Sequence, residues 1–415
     1  MLTATPDPRP SRRGRRTVLG LGIAAVLVAA TPAASAAAME APVTLTLPAP
    51  TGPHPIGTVA LHLIDRSRPD PLKPSRPYRE LMVSLWYPAM GNNRNLPLAP
   101  HMASRAAADW DKRSAPPLDI ESGVVDWAAT RTHARVGAPV DQRAGKLPIV
   151  VFEPGDGGPR TLGTVLVEEL ASRGYLVVSV DHTYEADQVE FPGGRVERAV
   201  PLPDKLTPEV IEKLLRKHLA IRLADMRFVL DQLSVLNRGR NPDAERAPLP
   251  SRLPGALNLS RVGVLGQSLG GSVAAQLAHD RRVHAGVNLD GGFIGPVART
   301  GVARPFLQLA RESHTRNNDP TWKSFWAAST GWKRELRFAG AQHGSFTDLQ
   351  VMLPQLAATL KKVPAADLIG TINPARSVAA QRAHVSAFFD LHLKGRPTHL
   401  FAGPVRRYPE VKPIP

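Results

Sequence analysis

The 415-residue chain contains no cysteine. That absence excludes disulfides, thiolate metal sites, a cysteine nucleophile and a lipid-modified cysteine anchor. No apolar run of membrane length follows the N-terminal segment, and no segment repeats. Zinc-finger spacing, an RNP-like aromatic strand and a dense Lys/Arg arm are missing too. The formal charge of +16 therefore does not point to nucleic acid. Arg9, Arg12, Arg13, Arg15 and Arg16 against Asp7 supply +4 of it. The rest is spread along the chain, which leaves transient contact with an anionic membrane or polymer surface open. Apolar residues make up 43%, ordinary for a protein with a sizeable core.

Residues 1–36 read as an export signal. Ser11 to Arg16 is basic, Val18 to Ala30 is apolar, and Ala34-Ser35-Ala36 offers a small-x-small cleavage site. Arg15-Arg16-Thr17-Val18-Leu19 resembles a twin-arginine signal. The alternative, an uncleaved membrane anchor, is disfavoured because the apolar stretch is too short to span a bilayer. The expectation is a secreted, soluble domain over residues 37–415.

Two early strand patterns, Val59 to Ile64 and Leu81 to Tyr87, flank a Pro-rich stretch, and Pro88 ends the second. Residues 91–145 are weakly periodic and read as an excursion beside the sheet. From Leu147 the pattern changes to continuous apolar runs alternating with helical spacing. Strands are expected over Leu147 to Phe152, Tyr175 to Val180, Val262 to Leu265, Ala285 to Leu289, Phe306 to Leu309 and Glu335 to Phe338. Helices are expected over Thr161 to Ser172, from Thr207-Pro208 to about Leu236, Gly270 to His279, Thr347 to Leu360 and Ala375 to Leu393. Such alternation implies a mostly parallel sheet covered on both faces, with the early strands antiparallel. Segments 183–205 and 239–256 are further excursions, placed like 91–145 to flank a substrate pocket.

Gly266-Gln267-Ser268-Leu269-Gly270 matches G-x-S-x-G directly after a short apolar strand and directly before a helix pattern. A sharp strand-to-helix turn there strains the serine backbone and lifts its hydroxyl off the sheet. Side chains at 266 or 270 would strike the neighbouring turn, hence the glycines. The five-residue pattern alone also fits a Gly-rich turn with a solvated serine. Its strand-before, helix-after setting favours a nucleophile at Ser268.

A base and an acid must follow the serine in this fold. His343 lies on the loop after the last strand and before a helix, within reach of the elbow. His314 is the other possibility, although another strand and helix follow it. For the acid, Asp290 ends a strand and precedes Gly291-Gly292; Glu312 follows the next strand and remains an alternative. Either carboxylate can fix the imidazole tautomer and stabilise the imidazolium. Two backbone N–H groups must face the developing oxyanion: that of Leu269, and one from the loop Gly155-Asp156-Gly157, with Asp156 preferred. No metal or organic cofactor is implied.

The chain resembles the platelet-activating-factor acetylhydrolase family, in its plasma and intracellular type II branch, and related secreted bacterial esterases. The resemblance rests on Phe152 to Gly158, Ser179-Val180-Asp181-His182, Gly266 to Gly271, Leu289-Asp290-Gly291 and His343 to Asp348, with Ser84 to Pro88 and the Val385 to Leu393 helix also similar. It implies an α/β-hydrolase fold and hydrolysis of carboxylic esters, short-acyl or lipid, through Ser268, His343 and Asp290. It also favours Asp290 over Glu312, because the family carries its acid just after the strand that follows the nucleophile helix. Two positions depart from the pattern. Gln267 stands where His or Trp is usual, and Asp156 where an apolar residue is usual. A carboxylate beside an oxyanion opposes it, so the Asp156 side chain must point away or meet a cation such as Arg160. The rivals are an amidase with the same three residues and a secreted binding protein that keeps the fold without turnover.

Overall fold

The computed structural model describes residues 41–360 and 363–415; the export signal read in residues 1–36 lies outside them. In chain order the strands are β1 (Ile56–Asp65), β2 (Arg79–Pro88), β3 (Leu98–Pro100), β4 (Arg131–Val136), β5 (Leu147–Glu153), β6 (Leu176–Asp181), β7 (Gln188–Glu190), β8 (Val196–Arg198), β9 (Leu257–Gln267), β10 (Val283–Leu289), β11 (Phe306–Ala310), β12 (Lys333–Phe338) and β13 (Val411–Pro413). The helices are α1 (Ser104–Arg113), α2 (Thr164–Ser172), α3 (Pro208–Asn237), α4 (Leu269–Leu277), α5 (Val297–Thr300), α6 (Pro320–Ala328), α7 (Leu349–Ala357), α8 (Ala365–Ile369) and α9 (Pro374–Lys394).

One sheet runs in the order β13-β12-β11-β10-β9-β5-β6-β2-β1-β4-β3, and β7 and β8 form a separate hairpin. Neighbours from β6 through β5, β9, β10 and β11 to β12 are parallel. β2 is antiparallel to both β1 and β6, as the early patterns predicted.

Period-two alternation along the central strands builds two cores. Val150, Phe152, Val177 and Leu265 face α2 and α9, where Leu166, Leu170, Phe388 and Phe389 close over them. Ile149, Val151, Val178 and Val264 face α3 and α4, against Met226, Val229, Leu233 and Val273. Each fully buried Leu, Val or Phe is worth about 1.5–3 kcal/mol, so this two-sided burial is what holds the sheet. α3 starts where Thr207-Pro208 predicted: the Thr207 hydroxyl accepts from the Val210 N–H at 3.3 Å.

Three segments differ from expectation. Residues 91–145 do not all lie beside the sheet: β4 pairs in parallel with β1, and β3 pairs with β4 at the edge. The Arg-Thr-His-Ala-Arg-Val of β4, one strand in from the edge strand β3, is polar at four of its six positions and so lacks a continuous apolar run. Segment 183–205 contains the β7/β8 hairpin. The C-terminal β13 pairs with β12 over only three residues, too short to show periodicity.

Candidate active site

Parallel strands leave their carboxyl ends on one edge of the sheet, and every predicted site residue follows such an end. β9 runs into Ser268, which has φ 54° and ψ −121°, and α4 begins at the next residue. A non-glycine residue held there is strained, as an elbow requires. The Ser268 N–H donates to the Leu289 carbonyl at 3.0 Å, which ties the elbow to β10. The glycines are steric necessities. A Cβ on Gly266 would lie 1.9 Å from the Gly270 carbonyl oxygen, and one on Gly270 would lie 2.3 Å from that of Glu153.

Asp290 follows β10, also with positive φ (56°), and is buried. Its Oδ2 accepts from His343 Nδ1 at 2.6 Å. That bond puts the proton on Nδ1 and leaves Nε2 unprotonated, the tautomer a general base needs. His343 Nε2 faces the neighbouring residue of the elbow: the Gln267 amide donates to it at 3.2 Å. Among the described residues no hydrogen bond joins Ser268 Oγ to His343. The imidazole side chain is 46% exposed, open to an incoming substrate.

Glu312, the alternative acid, does not touch His343. It accepts from the Gly340 N–H at 2.7 Å and pairs with Arg337, so it holds the loop that carries the histidine. His314, weighed as an alternative base, also binds Asp290: its Nδ1 donates to Oδ1 at 2.8 Å, and its Nε2 lies 2.7 Å from Asp319. Arg311 adds a third contact at 2.8 Å. Burial alone would raise the Asp290 carboxyl, but the two histidines outweigh it and hold the group far below the usual carboxylate range. Burial likewise disfavours charge on His314, yet its bonds to Asp290 and Asp319 push it up to about 9.

The loop after β5 passes beside the serine. A Cβ on Gly155 would lie 3.3 Å from Ser268 Cβ and 2.4 Å from Gln267 Oε1. Neither the Asp156 N–H nor that of Leu269 donates to another group among the described residues. The Asp156 carboxylate does not meet Arg160 as expected. Arg160 instead pairs with Asp181 and Ser84, and Asp181 also accepts from the Arg160 N–H at 2.6 Å. The partner of Asp156 is His218, whose Nδ1 lies 2.7 Å from Oδ1. Burial would raise Asp156; the His218 contact overrides it and lowers the group.

His218, Glu185 and Arg222 escaped the sequence reading because His218 precedes the serine and Arg222 sits among apolar residues of a helix. The i, i+4 spacing of His218 and Arg222 on α3 was the only available signal. Asp156, Glu185 and His218 bring ligand-type atoms within 4.8 Å of one another. Arg222 is bonded to Glu185 there and already supplies the positive charge. Of the excursions, 183–205 reaches the site, with the Asp187 N–H on the Gly157 carbonyl at 2.8 Å. Segment 91–145 arrives through Ser114, which donates to Asp187 at 2.9 Å. Segment 239–256 bonds instead to β1 and to the start of β5, through His62 and Leu147.

A two-faced, mostly parallel sheet with a strained serine at a strand-to-helix turn defines an α/β-hydrolase. Comparison with solved structures agrees: a ferulic acid esterase from Streptomyces cinnamoneus superposes with a TM-score of 0.71 at 37% identity, covering 89% of this chain and 99% of that one. Residues 124–396 match the family model of platelet-activating factor acetylhydrolase, isoform II, and the chain belongs to that family. A probable 1-alkyl-2-acetylglycerophosphocholine esterase from Arthroderma benhamiae is 29% identical over 405 residues, 91% of this chain and 96% of that protein. A platelet-activating factor acetylhydrolase from Gallus gallus is 25% identical over 274 residues, 60% of this chain and 62% of that protein. The chain is a carboxylic ester hydrolase, which sets aside the reading as a binding protein without turnover.

Proposed function

We propose that this hydrolase is secreted and cleaves short-acyl or lipid esters through an acyl-enzyme on Ser268. His343 Nε2 takes the serine proton as Oγ attacks the ester carbonyl, and returns it to the leaving alcohol. Asp290 holds the imidazole and balances its positive charge. The N–H groups of Leu269 and Asp156 receive the oxyanion, with the α4 N-terminus adding its dipole. Water then attacks the acyl-enzyme by the same route, releasing the acid and restoring the serine. The reading rests chiefly on the 2.6 Å contact between Asp290 and His343 Nδ1, which leaves Nε2 as an acceptor beside the elbow. Basic Ser11 to Arg16 ahead of apolar Val18 to Ala30 supports export.

The test is labelling with a fluorophosphonate, followed by peptide mapping. Modification at Ser268, abolished in Ser268→Ala, is expected; an unlabelled but folded protein sinks the mechanism. Paired p-nitrophenyl ester and anilide substrates then separate esterase from amidase. An acyl series from acetate to long chains, with a feruloyl ester included, identifies the acid portion. Highest kcat/KM at two to four carbons is expected, and a feruloyl optimum would move the reading towards the Streptomyces enzyme.

A further inference from the structure

Behind the loop proposed to hold the oxyanion lies a buried chain of charges. Three residues of α3 at helical spacing, His218, Arg222 and Asp225, turn one face towards the ends of β5 and β6. Asp225 accepts from Arg79 at 2.8 Å and from His182 Nδ1 at 2.8 Å. His182 Nε2 reaches Glu153, the last residue of β5, at 3.0 Å. Glu153 lies 3.7 Å from Arg222, and Arg222 donates to Glu185 at 2.8 Å. Positive and negative groups alternate, so each buried charge has an opposite neighbour.

Arg222 is the member that touches the loop. It is fully buried, and its two terminal nitrogens donate to main-chain oxygens: Nη1 to the Pro154 carbonyl at 2.5 Å and Nη2 to the Gly155 carbonyl at 2.8 Å. In a trans peptide the C=O and the following N–H point in opposite directions. Holding the Gly155 carbonyl towards Arg222 therefore directs the Asp156 N–H away from Arg222. A guanidinium on the carbonyl also polarises the peptide and strengthens the N–H as a donor. His218, one turn earlier on α3, draws the Asp156 carboxylate away from that N–H with its 2.7 Å contact.

We infer that Arg222 is a positioning residue for ester hydrolysis: its guanidinium clamps the Pro154 and Gly155 carbonyls so that the Asp156 N–H is fixed as an oxyanion donor, while His218 keeps the Asp156 carboxylate aside. The inference rests on the function proposed above. It assigns the charged face of α3 to the transition state and not to substrate binding.

Arg222→Lys keeps the charge beside Glu185 but replaces a planar fork with a single ammonium, which cannot hold both carbonyls in one geometry. Losing one oxyanion donor outright costs about 10²–10³ in kcat. A misaligned one is expected to cost about 10- to 100-fold, with KM within about twofold. The Ki of an alkyl trifluoromethyl ketone, which forms a tetrahedral adduct on the serine, should rise by the same factor as kcat falls. Leu230→Ala, a core change on the same helix, is the control for stability: it should lower Tm and leave kcat unchanged. A folded Arg222→Lys enzyme with parental kcat, or one impaired in KM alone, overturns the inference.

A structure of the unaltered enzyme with the ketone bound tests it without any variant. The adduct oxygen should lie about 2.7–3.1 Å from the Asp156 nitrogen with both Arg222 contacts intact. An oxygen held elsewhere, or a released Arg222, rejects it. Ser268→Ala separates the two levels: turnover surviving in that variant defeats the proposed mechanism as a whole. An inactive Ser268→Ala beside a fully active Arg222→Lys defeats only the role of Arg222.

Discussion

Asp290 carries more partners than one histidine requires. Arg311 and His314 share the carboxylate with His343, and His314 stays protonated up to about 9. Two standing positive charges therefore offset the field that Asp290 presents to His343 under the proposed mechanism. Removing one of them should favour the imidazolium. In His314→Asn the acid limb of the kcat/KM profile is expected to move up by about half a pH unit or more, with modest loss at the plateau. Titration of kcat/KM between pH 5 and 10 checks this; an unmoved limb would show that His314 serves only to hold the loop. Asp290 was legible in the sequence as a strand-end carboxylate before two glycines. The sharing was not, because nothing in the spacing of residues 311 and 314 shows that β11 ends beside β10.

Among the elements, the central strands were readable because burial on both faces forces continuous apolar runs, as in Leu147 to Phe152 and Val262 to Leu265. The outer elements were not: β4 is mostly polar, and β7, β8 and β13 each hold three residues. The junction of β5 with α4 was legible only in part, since the glycines announced close approach without naming what approaches. Gly270 sits against the Glu153 and Pro154 carbonyl oxygens, whereas Gly155 faces the end of the Gln267 side chain. Backbone cannot yield, but a flexible amide can. Gly270→Ala is thus expected to destabilise the fold by more than about 2 kcal/mol. Gly155→Ala should keep a near-parental Tm while kcat falls at least about tenfold, because Gln267 and the oxyanion loop must shift. Calorimetry and steady-state kinetics on the two variants decide it; equal losses of Tm would contradict the distinction.

At the scale of the whole molecule, the buried charges couple stability to pH in a direction set by their shifts. Burial opposes the charged form of Asp225, but Arg79 and His182 overcome this and depress its carboxyl strongly, so its contribution is present above about pH 4 and is lost as pH falls below. His182 behaves in the opposite sense. Burial disfavours its charge, yet Glu153 and Asp225 raise it to about 9 from an ordinary 6.5. Its contribution is complete below about pH 6.5 and disappears as pH rises through 9. The shift of roughly two and a half units sets an upper bound of about 3 kcal/mol on that term. His314 adds to the loss in the same window. Maximum stability is therefore expected between about pH 4 and 6.5. Urea unfolding at pH 6, 7.5 and 9 should show a steady decline. In His182→Gln the protein should be less stable at pH 6, and its profile flatter, because the titrating group is gone. A wild-type profile that is level from pH 6.5 to 9 would mean that Glu153 and Asp225 do not hold His182 charged, and that the buried chain carries its positive charge on Arg79 and Arg222 alone.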